Sequence, residues 1–143
     1  MKPILFISIL FFLTINCLPQ PVAFEFDYAQ FGYDSTSNYV EFYYSFEQAS
    51  LTLFDTDSGD YVQGILIIAI EDSTTCEVLV DKSWSISNYI TDTMNIERSL
   101  IGLVGFVLRK GSYRCNISGS DAVKTGSEKT IAEFIRIKPF LND

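Results

Sequence analysis

Histidine is absent from this chain of 143 residues. Without an imidazole there is no Ser-His-Asp or Cys-His catalysis and no histidine metal site. Basic side chains are few, 10 Lys and Arg against 18 Asp and Glu, for a net charge of −8. Nucleic acid and anionic head groups reward Lys and Arg patches, so this balance argues against both and favours solubility. Tryptophan occurs once, at Trp84, and cysteine three times, at Cys17, Cys76 and Cys115. Beyond the N-terminus no apolar run approaches the ~20 residues that a membrane helix needs. No apolar stripe at helical spacing is sustained, and there is no internal repeat or low-complexity tract.

What is present begins with Met1, Lys2 and Pro3, an apolar run over residues 4–15 and a polar break at Asn16. One base, a short apolar stretch and a polar break read as a secretory signal. The rival reading, a buried N-terminal strand or helix, is disfavoured because the run has no amphipathic face and sits at the very start. The expected organisation is a signal peptide over residues 1–19 and one β-sandwich domain over residues 22–143, with cleavage between Cys17 and Pro21. A lipoprotein signal wants a small residue before its cysteine, and Asn16 stands there, which argues against a lipid anchor at Cys17. The expected location is therefore outside the cytoplasm: periplasmic, outer-membrane-associated or extracellular. In such an oxidising compartment Cys76 and Cys115 are a candidate disulfide pair. An unstrained bond between them is worth about 3–4 kcal/mol. The alternative is two buried free thiols.

The rest of the chain alternates with period two. Phe24, Phe26 and Tyr28 alternate with Glu25 and Asp27, and Val40, Phe42, Tyr44 and Phe46 with Tyr39, Glu41, Tyr43 and Ser45. Successive side chains of a strand point to opposite faces, so each set forms one apolar face. Residues 65–70 are apolar at every position, the pattern of a central strand covered on both sides. Further strands are expected over residues 51–54, 75–80, 81–88, 96–108 (with a bulge at Gly102 or Gly105), 113–118 and 130–137. Turn clusters separate them. Seven to nine short antiparallel strands at this spacing predict an all-β, immunoglobulin-like or fibronectin-like β-sandwich. Tyr113, two positions before Cys115, matches the immunoglobulin tyrosine corner, whose hydroxyl bonds the backbone a few residues upstream.

Each candidate site has a plainer explanation. The acidic run at residues 55–60 has oxygens that suit calcium, but Asp60 and Leu66 stand where an EF-hand loop needs Gly and Glu; a hairpin turn accounts for it. Glycosidase chemistry needs two carboxyls on facing elements, whereas the acids here fall at turns and on outward strand positions. Asn116-Ile117-Ser118 is a glycosylation sequon. Tyr39 and Tyr43 flank Glu41 on the outward side of one strand, a stripe that suits stacking on a sugar or a partner surface. No catalytic, cofactor-binding or metal residue is assigned, and no cofactor is expected.

Several segments together resemble a family. An early Phe/Tyr-rich strand is followed by Asn38-Tyr39-Val40-Glu41-Phe42-Tyr43-Tyr44-Ser45-Phe46, then Leu51-Thr52-Leu53-Phe54 with a Gly-Asp-Tyr turn and a long aliphatic strand. Later come Leu108-Arg109-Lys110-Gly111-Ser112-Tyr113 and Asp121. Over residues 24–140 this resembles the N-terminal β-rich region of GWxTD-domain-containing proteins, exported proteins of Bacteroidetes-like bacteria. The Gly-Trp-x-Thr-Asp motif itself is absent, and no functional residue carries over. The resemblance implies an envelope or secreted location and little chemistry. The expectation is a non-catalytic exported module with a structural or protein-interaction role at a bacterial cell envelope and an envelope protein as partner. The alternative is a carbohydrate- or peptide-binding module that uses Tyr39 and Tyr43.

Overall fold

Side chains that alternate between apolar and polar can bury one set only if the backbone is extended. The computed structural model describes residues 20–92 and 96–138 and has this form along most of its length. The expected signal over residues 1–19, with Cys17, lies outside the described residues. Eight strands are described: β1 (Phe24–Gly32), β2 (Ser37–Glu47), β3 (Leu53–Phe54), β4 (Asp60–Asp72), β5 (Val78–Ile90), β6 (Ser99–Arg109), β7 (Gly111–Asp121) and β8 (Lys129–Ile137). They form two antiparallel sheets in a sandwich-like arrangement. One has three strands in the order β1-β2-β6. The other has five: β7 lies between β4 and β8, and β4 also pairs with β5 and with the short β3.

The inner faces form a single core. Phe24, Val40, Phe42 and Phe46 from the smaller sheet meet Val62, Leu66, Ile68, Ile70, Cys115, Ile117, Ile135 and Ile137 from the larger. Aromatic rings dominate one layer and branched aliphatics the other. Phe24 and Phe46 lie 4.9 Å apart, Phe26 and Phe42 5.5 Å, and Phe42 and Phe106 5.8 Å. Each fully buried ring or branched chain contributes about 1.5–3 kcal/mol. The run at residues 65–70 is central, with β5 on one side and β7 on the other, but it is not covered on both faces. Leu66, Ile68 and Ile70 are buried, whereas Ile67 points outward and is 37% exposed. Full apolarity there reflects an outer face of small and aliphatic side chains, not a second covering layer.

Two other expectations change. The segments at residues 75–80 and 81–88 are one strand, β5, which runs on to Ile90. No bulge occurs at Gly102 or Gly105; β2 and β6 keep one register from Ser37 opposite Arg109 to Glu47 opposite Ser99. The register shift falls instead between Ile70 and Glu71, where β4 meets β5. At residues 109–112 the chain turns from one sheet to the other. β6 ends at Arg109 and β7 begins at Gly111, so the chain passes from one sheet to the other over Lys110 alone.

Hydrogen bonds lace the long side where β1 and β2 face β8. Gln30 Nε2 donates to the Arg136 carbonyl at 3.3 Å, Asn38 Nδ2 to the Lys138 carbonyl at 3.2 Å, and Lys129 Nζ to the Phe24 carbonyl at 2.7 Å. On the opposite long side, where β5 faces β6, Asn88 Nδ2 donates to Gln48 Oε1 at 3.0 Å and Gln48 Nε2 to the Arg98 carbonyl at 3.1 Å. Further along that side Trp84 and Phe106 meet as rings, 6.5 Å apart.

Candidate functional site: the outer face of the three-stranded sheet

A sandwich leaves two outer faces, and here they differ in chemistry. On the larger sheet the central rows run Ser83–Ile67–Ser118–Thr130 and Asp81–Ala69–Asn116–Ala132, mostly small and polar, while towards its margins the same face carries the aromatic row Phe54–Tyr61–Tyr89 and the exposed Phe134 beneath Arg114. Asn116 of the sequon sits in the middle of this face, half-buried. On the smaller sheet the rows run Phe31–Tyr39–Val107, Asp27–Tyr43–Leu103 and Glu25–Ser45–Ile101. Ile101 is 78% exposed, Leu103 52%, and Phe31 and Val107 46% each. These side chains lie on one pleated surface, mostly along β6, and share it with the carboxylates of Glu25, Asp27 and Glu41; exposed apolar groups gathered in this way are the kind of surface that marks an interaction site.

Tyr39 and Tyr43 both belong to this face, but they do not stand as two free rings. The ring of Tyr39 reaches across to β6 and covers Gly105; a Cβ placed on that glycine would lie 2.0 Å from the Tyr39 hydroxyl. Gly105 thus serves as a seat for an aromatic ring, the physical reason for a glycine inside a regular strand. Gly102 seats Tyr44 in the same way on the inner side, at 2.2 Å from its hydroxyl. The Tyr43 hydroxyl donates to the Glu41 carboxylate. That bond, with some burial, raises the phenol above its ordinary value and keeps it protonated. The hydroxyl end of one ring therefore rests over Gly105, and the other ring is tethered by its polar end.

The sequence reading placed the patch on β2 alone and missed its larger half. Phe31 comes from β1, and Ile101, Leu103 and Val107 come from β6. The available signal was the run from Ser99 to Leu108, which contains neither charge nor proline. At its N-terminal end the patch meets a hollow lined by Glu25, Glu47, Glu97 and Lys129, whose three acids are all exposed.

The cysteine expectation is corrected. Both thiols are free. Cys76 is exposed in the turn between β4 and β5, with φ of 59°, and does not face inward on a strand. Cys115 is buried on the inner face of β7, where burial, reinforced by the nearby Glu133, pushes its thiol up to about 12. One cysteine is in solvent and the other in the core, so no bond joins them. The acidic stretch at residues 55–60 is a hairpin turn, closed by Thr56 Oγ1 donating to the Gly59 carbonyl at 2.6 Å. Among the described residues no group of three or more His, Cys, Asp or Glu side chains is placed to hold a metal ion.

The fold is an all-β, sandwich-like pair of antiparallel sheets, with exposed aliphatic side chains gathered on the outer side of β6. No protein-family model matches the chain, and no curated protein matches it.

Proposed function

We propose that the protein is an exported, non-catalytic module of immunoglobulin-like or fibronectin-like type that binds another protein of a bacterial cell envelope through the outer face of β1, β2 and β6. The observation that carries this reading is the gathering of exposed Phe31, Ile101, Leu103 and Val107 with Tyr39 on one sheet face of an acidic molecule. Burying such a patch against a partner is worth about 25 cal/mol per Å² of apolar surface removed from water, before the cost of association. The tyrosine-corner hydrogen bond of Tyr113 supports the architecture, and the N-terminal run and the resemblance to GWxTD-domain proteins support the location. The test is a photo-crosslinking side chain at position 103, with the same group at position 85 on the opposite exterior as control. A discrete adduct in envelope preparations from position 103 only, lost in Ile101→Asp, is the expected result. Equal labelling from both positions, or none, removes the proposal.

A second reading, a carbohydrate-binding module, draws on Tyr39, a half-exposed ring on the outer face whose hydroxyl end rests over Gly105. Tyr39→Ala would then abolish binding on a glycan array while leaving the circular dichroism spectrum intact. No bound glycan, or binding that survives the substitution, ends that alternative.

A further inference from the structure

The two sheets do not match in width. In the larger sheet β5, β4, β7 and β8 lie side by side, against three strands in the smaller. On the β8 side the match is close: inward Ile135 and Ile137 are each 1% exposed. On the β5 side it is not. Inward Val80, Trp84, Ile86 and Ile90 of β5 are only half-buried, and so are Leu100, Val104 and Phe106 of β6. Towards one end the space between these strands widens to a cleft of about 580 Å³, with Leu79 and Val80 on one wall and Phe106, Val107 and Leu108 on the other. Facing apolar side chains left half in water form the inner surface that one more strand of a sandwich would cover.

The backbone beside this cleft is open as well. β6 pairs with β2 alone, so on its other side it offers a row of amide and carbonyl groups. Open edges are commonly guarded by charge or proline, and residues 99–108 of β6 contain neither. Strand addition uses such an edge: main-chain bonds give affinity, and alternate side chains give specificity. A strand added here lies over β5, and its inward side chains meet Val80, Lys82, Trp84 and Ile86.

Charge selects among the strands that could add. Lys82 is the one charged side chain on the inward faces of β5 and β6, and it is exposed, without a hydrogen bond or ion pair among the described residues. Arg109 and Lys110 stand at the same end of the cleft. The acids there are placed otherwise. Asp72 accepts the amides of Thr74 and Thr75 in its own turn, and Glu77 lies in that turn, ahead of β5. The body of the cleft is therefore apolar with a single positive charge, in a molecule of net charge −8. An apolar strand that sets a carboxylate over Lys82 fits it. A basic strand does not, and β6 of a second copy has no acid over residues 99–108 to offer.

We infer that β6 takes up an extended segment of a partner protein as a fourth antiparallel strand of the smaller sheet, apolar at alternate positions and carrying an acidic side chain over Lys82. The contact uses the free edge and inner flank of β6, so it stands or falls separately from the outer-face contact proposed above.

The probe is an 11-residue synthetic peptide, the length of β6, that alternates Val and Thr and has Asp in place of one Val near its start. Added to the exported protein, it should bind with a Kd of about 0.1 mM or below. It should also shift the emission of Trp84, the single tryptophan, to the blue as the indole leaves water. Lys82→Glu should weaken this peptide about tenfold and strengthen a version with Lys in place of Asp by a similar factor. A proline at the centre of the peptide should abolish binding, because it removes a ladder donor. Ile101→Asp, on the outer face, should change the affinity by no more than about twofold. No binding at about 1 mM, equal binding of the Asp and Lys versions to the wild type, or binding that survives the central proline overturns the inference. Loss of binding in Ile101→Asp also overturns it and moves the contact to the outer face. Sedimentation of the free protein as a dimer that the peptide dissociates overturns it too, and gives the edge to a second copy.

Discussion

The hydroxyl of Tyr113 donates a hydrogen bond of 2.8 Å to the carbonyl oxygen of Arg109, spanning the point where the chain leaves one sheet and enters the other. Lys110, between them, anchors its own amide to the Thr36 carbonyl at 2.8 Å. The two bonds fix the only residue that separates β6 from β7. Burial raises the Tyr113 phenol above its ordinary value, Asp72 adds to the rise and Arg109 opposes it. The hydroxyl therefore stays a donor through the neutral range.

Tyr113→Phe removes that donor and leaves the Arg109 carbonyl without it. The expected loss is about 1 kcal/mol, read as a lower urea midpoint with an unchanged slope. A change below about 0.3 kcal/mol would show that the corner is held by packing alone.

Glycine substitutions should rank by what the new methyl meets. At Gly119 a Cβ would lie 2.5 Å from the Phe24 ring and 2.9 Å from Phe46, both fully buried. Neither ring has room to move, so Gly119→Ala should cost about 2–3 kcal/mol, in the range of overpacked cores. At Gly105 the obstacle is Tyr39, a half-exposed ring that can lift into solvent. Gly105→Ala should cost about 1 kcal/mol or less and make Tyr39 more accessible to nitration. Equal losses at the two sites would contradict this ranking.

The two cysteines should differ sharply in reactivity. Cys76 is exposed and Cys115 buried, its thiol pushed up to about 12. Only the thiolate attacks. A thiol reagent should label Cys76 in the native protein and reach Cys115 only on unfolding. The comparison of Cys76→Ser with Cys115→Ser separates the two signals. Protection of both thiols, with a mass lower by two hydrogens, would instead indicate a bond between them.

Asp121 should make stability depend on pH in the acid range. Its buried carboxylate accepts from the amides of Val123 and Lys124, each at 2.8 Å, and from the amide of Thr52. Burial pushes its pKa upward, but the amides of Lys124, Val123 and Thr52 outweigh that effect and hold it below the ordinary 3.8. A depressed acid adds stability that is complete above the unfolded value and is lost as pH falls through the folded one. Asp121→Asn should therefore cost about 1.5–3 kcal/mol at pH 7 and progressively less below pH ~3.8. A constant difference from pH 7 to pH 2 would assign the effect to shape and not to charge. Asp34 and Asp72 are lowered by turn amides in the same direction, but Asp34 is exposed and Asp72 only half-buried.

Much of this fold was legible in the sequence because alternation is local. The two sets Phe24–Phe26–Tyr28 and Val40–Phe42–Tyr44–Phe46 name their inward faces correctly, with Phe24, Val40, Phe42 and Phe46 fully buried. Tyr113 announced its corner by position alone. Strand order was not legible, since it depends on pairing between distant segments. Nothing local distinguishes Ser99–Leu108, an edge, from residues 65–70, a centre; both read as apolar runs. The glycines of β6 were misread for the same reason: the rings of Tyr39 and Tyr44 that occupy their space come from another strand. Cys76 was misplaced because the turn before β5 is longer than its composition suggests, with Asp72 accepting the amides of Thr74 and Thr75 to hold it.

The unequal fastening of the two long sides has a mechanical consequence. Lys129, Gln30 and Asn38 tie the strands along one margin, while the other is tied at one end by Asn88 and Gln48 and meets further along as the rings of Trp84 and Phe106. The stretch at Trp84 and Phe106 is therefore the place where a local parting of the two sheets breaks the fewest hydrogen bonds. Such breathing would present the indole of Trp84 to solvent first, so quenching of its fluorescence would report the opening before any global unfolding begins.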